Sequence, residues 1–272
     1  MFGVNCAGII EKVGSAVDDI KIGDRVISYL GFARGGGSGE YVATKAAWVA
    51  PAPKSMPLTD CGCIPLASLT AWEALFTHGK LQAGQTVVVN GASGGVGNSI
   101  VQLAKWKEAR VIGVDHPSMQ QNVLGIGADA FVDYTSQKLN DVFPNEVDLI
   151  INFSNAPERQ IEEEMKQLKQ GGTVVNGNAA SAQKMLRQVG GNEERDITMD
   201  NASLYEGVNY IIFSVDYDTA SLTKISEIID EGGLKPLITK RIKVADLKTA
   251  HESYLKGQNN GKIVVVVDED LE

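Results

Sequence analysis

Thr86-Val-Val-Val-Asn-Gly-Ala-Ser-Gly-Gly-Val-Gly97 decides the fold, because an apolar, β-rich run breaks into glycines at the point where a helix should begin. Val87 to Val89 read as a strand buried on both faces, as in a parallel sheet. Ala92, Ser93, Gly94, Gly95, Val96 and Gly97 then form a turn in which backbone N–H groups can approach a phosphate resting on a helix N-terminus. Glycine-rich turns are common, so the context carries the weight. Ile100, Val101, Leu103 and Ala104 supply an apolar face for the next helix, and Arg110-Val-Ile-Gly-Val-Asp115 gives a second strand ending in an acid. Asp115 lies 18 residues beyond Gly97. A dinucleotide fingerprint places an acid about 20 residues on, at the tip of the second strand, to bind the adenosine ribose hydroxyls. The stretch predicts a Rossmann-type cofactor site; the alternative is a structural glycine turn.

From Thr86 onward, strands and amphipathic helices alternate, which predicts a doubly wound parallel sheet covered on both faces. The expected strands are 86 to 90, 109 to 115, 130 to 133, 147 to 153, 172 to 176 and 208 to 215. Ile161, Met165 and Leu168 are expected on one helical face, with Gly171-Gly172 ending that helix. Before residue 55 the pattern changes. Ala7 to Gly14, Gly23 to Ser28 and Gly39 to Thr44 read as short β segments punctuated by glycine, which suggests a small antiparallel unit. After residue 216, one helix carries Leu222, Ile225, Ile228 and Ile229 and stops at Gly232-Gly233, a second carries Leu247, Ala250 and Tyr254, and Ile263 to Val267 forms a final strand. That strand has no place in a completed Rossmann sheet, so it is expected to return to the N-terminal β unit. Pro51 to Pro57 is the best linker candidate.

A net charge of −9 over 272 residues argues against a nucleic-acid surface, which needs a basic patch. No apolar run reaches membrane-spanning length. The N-terminus has no basic region ahead of its apolar residues, so no signal peptide is expected. Cys6, Cys61 and Cys63 form no framework of paired spacings, which fits a reducing compartment, with the cytoplasm as the default.

In their order, Gly8 to Gly14, Gly23-Asp24-Arg25-Val26, Gly39-Glu40-Tyr41, Leu66 to Leu75, the glycine turn, Gly127-Ala128-Asp129 and Gly261 to Val264 resemble the medium-chain dehydrogenase/reductase superfamily. The resemblance is to its zinc-independent quinone oxidoreductase branch, the zeta-crystallin-like proteins, and covers nearly the whole chain. It implies an α/β Rossmann sheet, residues 69–216, inserted into a GroES-like catalytic domain, residues 1–68 and 217–272. It also implies that family strands upstream of Met1 are missing, so the GroES-like domain is expected to be truncated.

The resemblance implies an NAD(P)H-dependent oxidoreductase that transfers hydride to a quinone or an α,β-unsaturated carbonyl. Gly3-Val4-Asn5 stands where the alcohol dehydrogenase branch has a Gly-His-Glu triplet, and Leu66 falls near another ligand of that branch. Valine cannot ligate a metal, and Cys61-Gly62-Cys63 lacks two further ligands at suitable spacing, so no zinc is expected. Thr70 resembles a threonine near the nicotinamide, the alternative being a helix residue bonding its own backbone. Tyr134 resembles a tyrosine that contacts cofactor phosphates. Gly177-Asn178 and Phe213-Ser214 resemble further cofactor-lining positions, with plain strand-end turns as the alternative. Tyr134-x-x-x-Lys138 also mimics the catalytic pair of short-chain dehydrogenases. It lies only 37 residues beyond Gly97 and beside an expected strand, which rejects that reading.

The acid at Asp115 and the absence of a basic residue in His116 to Asn122 favour NADH over NADPH. Val208 to Val215 would be an apolar sheet edge, which predicts a homodimer through that strand. Two alternatives remain: a nucleotide-binding module without turnover, and a metal-dependent alcohol dehydrogenase.

Overall fold

The computed structural model describes residues 3–154, 158–177, 199–200, 207–256 and 261–268. The chain divides into two compact units, residues 70–215 and residues 1–69 with 216–272. The division falls inside a helix at Leu69 and Thr70 and not at Pro51 to Pro57, which lies within the second of these units.

In residues 1–69, β1 (Asn5–Ile9), β2 (Arg25–Tyr29) and β3 (Val49–Pro51) form an antiparallel sheet in that order. Gly39 to Thr44, expected as a strand, is irregular. Its glycine and exposed Tyr41 and Val42 offer no buried face, and the strand role passes to the buried Val49 and Ala50. Two helices follow, α1 (Leu58–Cys61) and α2 (Pro65–Trp72), and α2 widens into a π-helical turn over Glu73–His78.

Within residues 70–215 come β4 (Thr86–Asn90), α3 (Gly95–Trp106), β5 (Arg110–Asp115), α4 (Gln120–Gly125), β6 (Ala130–Asp133), α5 (Leu139–Val142), β7 (Val147–Asn152), α6 (Glu158–Met165), β8 (Leu168–Asn176), β9 (Met199–Asp200) and β10 (Asn209–Ile212). The sheet order is β6-β5-β4-β7-β8-β10-β9. The first six in that order run parallel and β9 is antiparallel to β10. The order of the six is that of a dinucleotide-binding sheet, with β4 and β7 flanking the point where connections reverse direction. Val88, Ile112, Val114, Ile150, Val174 and Ile212 face one core together with Leu139, Phe143, Ile161 and Met165.

Three local expectations change. Leu168 opens β8 instead of closing the preceding helix, because α6 ends at Met165. Gly171 and Gly172 sit in a bulge of β8 and not at a helix end: Val147 pairs with Leu168 and Leu149 with Thr173, and Gly171 N–H donates to Gly207 O at 3.0 Å. Finally, β10 ends at Ile212, so Phe213 and Ser214 lie beyond the strand. Its edge is not open as expected, since Ile211 pairs with Asp200 and Ile212 with Met199.

The chain closes with α7 (Thr219–Asp230), β11 (Ile238–Lys243), α8 (Leu247–Leu255) and β12 (Lys262–Val266). The last strand belongs to the same unit as β1 to β3, yet it pairs in parallel with β11 and not with them. β11 itself was not anticipated, because Ile238-Thr-Lys-Arg-Ile-Lys243 is mostly polar and buries only Ile242.

Candidate functional site

β4 ends at Asn90, and the chain turns at Gly91, whose φ of +77° suits glycine. The Gly91 N–H donates to Val114 O at 3.0 Å and so ties the turn to β5. Gly94 is the N-cap of α3 and brings no side-chain cap. The Asn98 N–H donates to Gly94 O at 2.8 Å. The N–H groups of Gly95, Val96 and Gly97 precede that bond, in the part of a helix where no intrahelical acceptor exists. Together with the positive end of the helix dipole they form a donor set suited to an anion.

The glycines of the turn do different work. A Cβ on Gly97 would fall 2.0 Å from Gly91 O, so the helix packs directly on the turn and only glycine fits. A Cβ on Gly94 would meet nothing closer than Gly91 O at 3.3 Å. That contact is tight but relieved by a shift of a few tenths of an ångström, so the fold constrains Gly94 less than Gly97, and a bare backbone there lets a phosphate approach closely.

Asp115 ends β5, where its carboxylate accepts the Ser93 N–H at 2.8 Å and the His116 N–H at 2.7 Å. The acid therefore holds the glycine turn itself. A carboxylate accepts at about four positions, so two remain for ribose hydroxyls. Tyr134, 50% exposed, stands beside it: its N–H donates to Asp115 O at 3.4 Å, and its ring lies 6.4 Å from that of His116. The His116 Nδ1 is 2.8 Å from Ser118 Oγ. Next to them, the hydroxyls of Ser136 and Thr135 hold the Asp133 carboxyl below the usual carboxylate range. The structure thus brings Ser93, Asp115 and Tyr134 together at one corner of the sheet.

Beneath the turn lies a row of buried amides that sequence reasoning missed. Asn90, Asn152 and Asn176 end three neighbouring strands in register. Asn152 Nδ2 donates to Asn176 Oδ1 at 3.3 Å, and Asn176 Nδ2 to the Tyr210 hydroxyl at 2.8 Å. Asn90 Nδ2 donates to Glu164 Oε2 at 2.7 Å, and Gln160 Nε2 donates to Glu164 Oε1 at 3.0 Å and to Asn90 Oδ1 at 3.2 Å. Burial pushes the Glu164 carboxyl above its ordinary value. The signal was an asparagine closing each apolar run, at Asn90, Asn152 and Asn176.

A second group gathers past the ends of β7, β8 and β10. Phe213 is buried with its ring 4.7 Å from that of His78 and 6.2 Å from that of Phe153. A Cβ on Gly177 would fall 2.1 Å from Phe153 ring carbons, so that glycine is required by packing. His78 Nε2 lies 3.9 Å from the buried Glu73 carboxylate, both in the π-helical turn, a form of helix frequent at functional sites. Ser214 is exposed, Thr70 is buried in α2, and Asn178 lies outside the described residues.

Cys6, Cys61 and Cys63 are free, and burial pushes their thiols up to about 11, about 12 and about 12. Among the described residues no three or more His, Cys, Asp or Glu side chains are grouped to hold a metal ion. Among them, too, no helix is long and apolar enough to cross a membrane.

Residues 1–54 match the alcohol dehydrogenase GroES-like domain, and residues 126–265, over half of the chain, match the zinc-binding dehydrogenase family. The chain belongs to the zinc-binding dehydrogenase family of the medium-chain dehydrogenase/reductase superfamily. Within it, the chain is similar to a mitochondrial NAD(P)H oxidoreductase of Dictyostelium discoideum, 28% identical over 97% of this chain and 80% of the relative. It is also similar to the 2-methylene-furan-3-one reductase of Solanum lycopersicum, 28% identical over 97% of this chain and 62% of the relative. The NADPH-dependent alkenal/one oxidoreductase of Arabidopsis thaliana chloroplasts is 27% identical over 97% and 63%. The chain spans under two thirds of the length of those two plant enzymes. A solved quinone oxidoreductase from Coxiella burnetii shares the fold with a TM-score of 0.84, at 22% identity over 98% of this chain and 79% of that one.

Proposed function

We propose that the chain is a zinc-independent NAD(P)H-dependent reductase of a quinone or an α,β-unsaturated carbonyl compound. The observation that carries the reading is the first turn of α3, which follows the Gly91 turn at the end of β4 and presents N–H groups without a side-chain cap behind the bare backbone of Gly94. The turn would hold the pyrophosphate, with Asp115 and Tyr134 at the ribose end. Asp115 selects for NADH, because a carboxylate accepts from a ribose 2′-hydroxyl and repels a 2′-phosphate.

When bound, the nicotinamide supplies hydride. The chain's own residues bind and orient it. Quinones and enones accept hydride without a Lewis acid, so placing them against the donor supplies much of the catalysis. The names of the plant relatives agree with this acceptor class. Zinc independence rests on the donor set, since Val4 stands where a ligand is expected and no group of three or more His, Cys, Asp or Glu side chains suited to a metal occurs among the described residues. A homodimer and a cytoplasmic location belong to the same proposal.

Calorimetric titration with NADH and NADPH, followed by assays on a quinone, an enone and a primary alcohol with and without a chelator, tests the reading. Chelator-insensitive reduction of the quinone or enone is expected. Binding without turnover would leave a nucleotide-binding module, and metal-dependent alcohol oxidation would overturn the proposal.

A further inference from the structure

Glu164 is 5% exposed, and among the described residues its hydrogen-bond donors are the neutral amides of Asn90 and Gln160. A buried carboxyl without a cation is expensive for the fold, and here burial raises its proton affinity. The geometry offers a reason for the acid.

Gln160 and Glu164 stand one turn apart on α6 and grip both ends of one amide: Glu164 accepts from Asn90 Nδ2 and Gln160 donates to Asn90 Oδ1. Asn90 is the last residue of β4, immediately ahead of the turn. Its backbone carbonyl accepts the Phe153 N–H at 3.1 Å, which joins the segment after β7 to the end of β4. Gly91 then packs against that segment, since a Cβ on it would come within 3.2 Å of Ser154 N. Whatever fixes the Asn90 side chain therefore fixes the residue from which the turn departs and the two segments that meet there.

We infer that Glu164 is a positioning residue for the dinucleotide site, acting through the Asn90 amide on the backbone that launches the phosphate-binding turn. The inference rests on the reading of that turn as a dinucleotide site. It assigns to α6 a share in affinity that is exerted through Asn90. Gln160 is the second half of the same clamp.

The test uses the full chain and three proteins: wild type, Glu164→Leu and Glu164→Gln. Affinity for NADH and NADPH is measured by calorimetry, and thermal unfolding is followed in parallel. Leucine fills the volume without an acceptor and leaves the buried Asn90 Nδ2 without its partner, so a lower melting temperature is expected, offset in part by loss of the buried carboxyl. Measured where the variant is fully folded, dinucleotide affinity should be about tenfold weaker. Glutamine keeps a carbonyl oxygen for Asn90 Nδ2 and should restore affinity to within about threefold of wild type. Two results overturn the proposal: unchanged affinity in Glu164→Leu, or no recovery in Glu164→Gln. Failure of wild type to bind either cofactor is a separate result, and it removes the reading of the turn itself.

Discussion

Residues 70–215 hold their strands through main-chain bonds, each of the six parallel strands pairing with its neighbour along the sheet. The other unit joins two distant stretches of chain, 1–69 and 216–272, and among the described residues no strand of one pairs with a strand of the other. Side chains join them instead. Asp230 accepts the N–H groups of Lys54 and Ser55 at 2.8 Å each, and Ser226 Oγ donates to Pro51 O at 2.8 Å. Arg241 donates through Nε and Nη2 to both oxygens of the buried Asp60. The Tyr217 ring stacks between Trp48, 4.0 Å away, and Tyr29, 5.1 Å away. A sheet tolerates most side-chain changes and fails where two backbones must touch. A unit stitched by side chains fails at the stitches.

The sharpest test of the contrast is Gly97→Ala. Its Cβ has nowhere to go but into Gly91 O, so α3 must move off the turn, at a cost of about 3 kcal/mol. Thermal unfolding should show the loss, and dinucleotide binding should vanish with it. Gly94→Val is the control, because a Cβ is far less obstructed there than at Gly97. Stability should fall by about 1 kcal/mol, less than in Gly97→Ala, while NADH affinity falls beyond detection. Equal NADH affinity in wild type and Gly94→Val would reject the phosphate assignment.

Tyr217→Ala should be the costliest single loss among the side-chain stitches. It removes two stacked contacts that join the two stretches, and because Tyr217 is 38% exposed the expected destabilisation is about 2 kcal/mol, short of a fully buried aromatic. Limited proteolysis should then cut residues 1–69 and 216–272 first, with 70–215 protected. Uniform cleavage across the chain would dissolve the distinction between the units.

A smaller effect separates the units by pH. Burial opposes ionisation of Asp230, but the N–H and hydroxyl of Ser55 and the N–H of Lys54 outweigh it and hold the carboxyl below its usual 3.8. Its stabilising share is present above that value and is lost as pH falls through the lower folded one. Glu164 runs the other way. Its folded carboxyl lies above the ordinary 4.5, so its share is present below that value and is lost as pH rises through the folded one. Denaturant melts should therefore show Glu164→Gln gaining on wild type as pH rises, while the deficit of Asp230→Asn shrinks as pH falls towards acid. Parallel pH profiles for variant and wild type would refute the corresponding shift.

Residues 70–215 were readable because burial on both faces writes itself as continuous apolar strands. Val87 to Val89 and Leu149 to Ile151 have no other use than the middle of a parallel sheet. The glycine turn was readable for the same reason, since Gly97 must meet Gly91 backbone. Glu164 was not, because Glu158 to Met165 carries four glutamates and only the i, i+4 alignment with Gln160 against Asn90 sets one of them apart. The cluster of His78, Phe153 and Phe213 joins three distant stretches of sequence, which no local periodicity relates. β11 escaped notice because its register with β12 depends on main-chain bonds and on one buried residue, Ile242.

Asp115 gives the finest test, because the structure adds a hold on the glycine turn to the ribose contact proposed for it. Replacing it with serine would shorten the side chain and release the Ser93 N–H, so a loss of NADH affinity could come from a loosened turn. Asp115→Asn separates the duties. The amide oxygen still accepts from Ser93, while the exposed His116 N–H turns to water and the charge facing the proposed ribose end is gone. NADH then loses part of a charge-assisted hydrogen bond, on the order of 1 kcal/mol. NADPH is relieved of repulsion between a carboxylate and a phosphate carrying close to two negative charges, and should gain about tenfold. The expected outcome is a ratio of affinities that shifts towards NADPH, with at most a small fall in unfolding temperature from the lost His116 contact. Pro117→Arg on that background should extend the gain by supplying a bidentate partner for the 2′-phosphate. If wild type already prefers NADPH, or if Asp115→Asn leaves the ratio where it was, Asp115 serves the glycine turn alone and cofactor choice is made elsewhere.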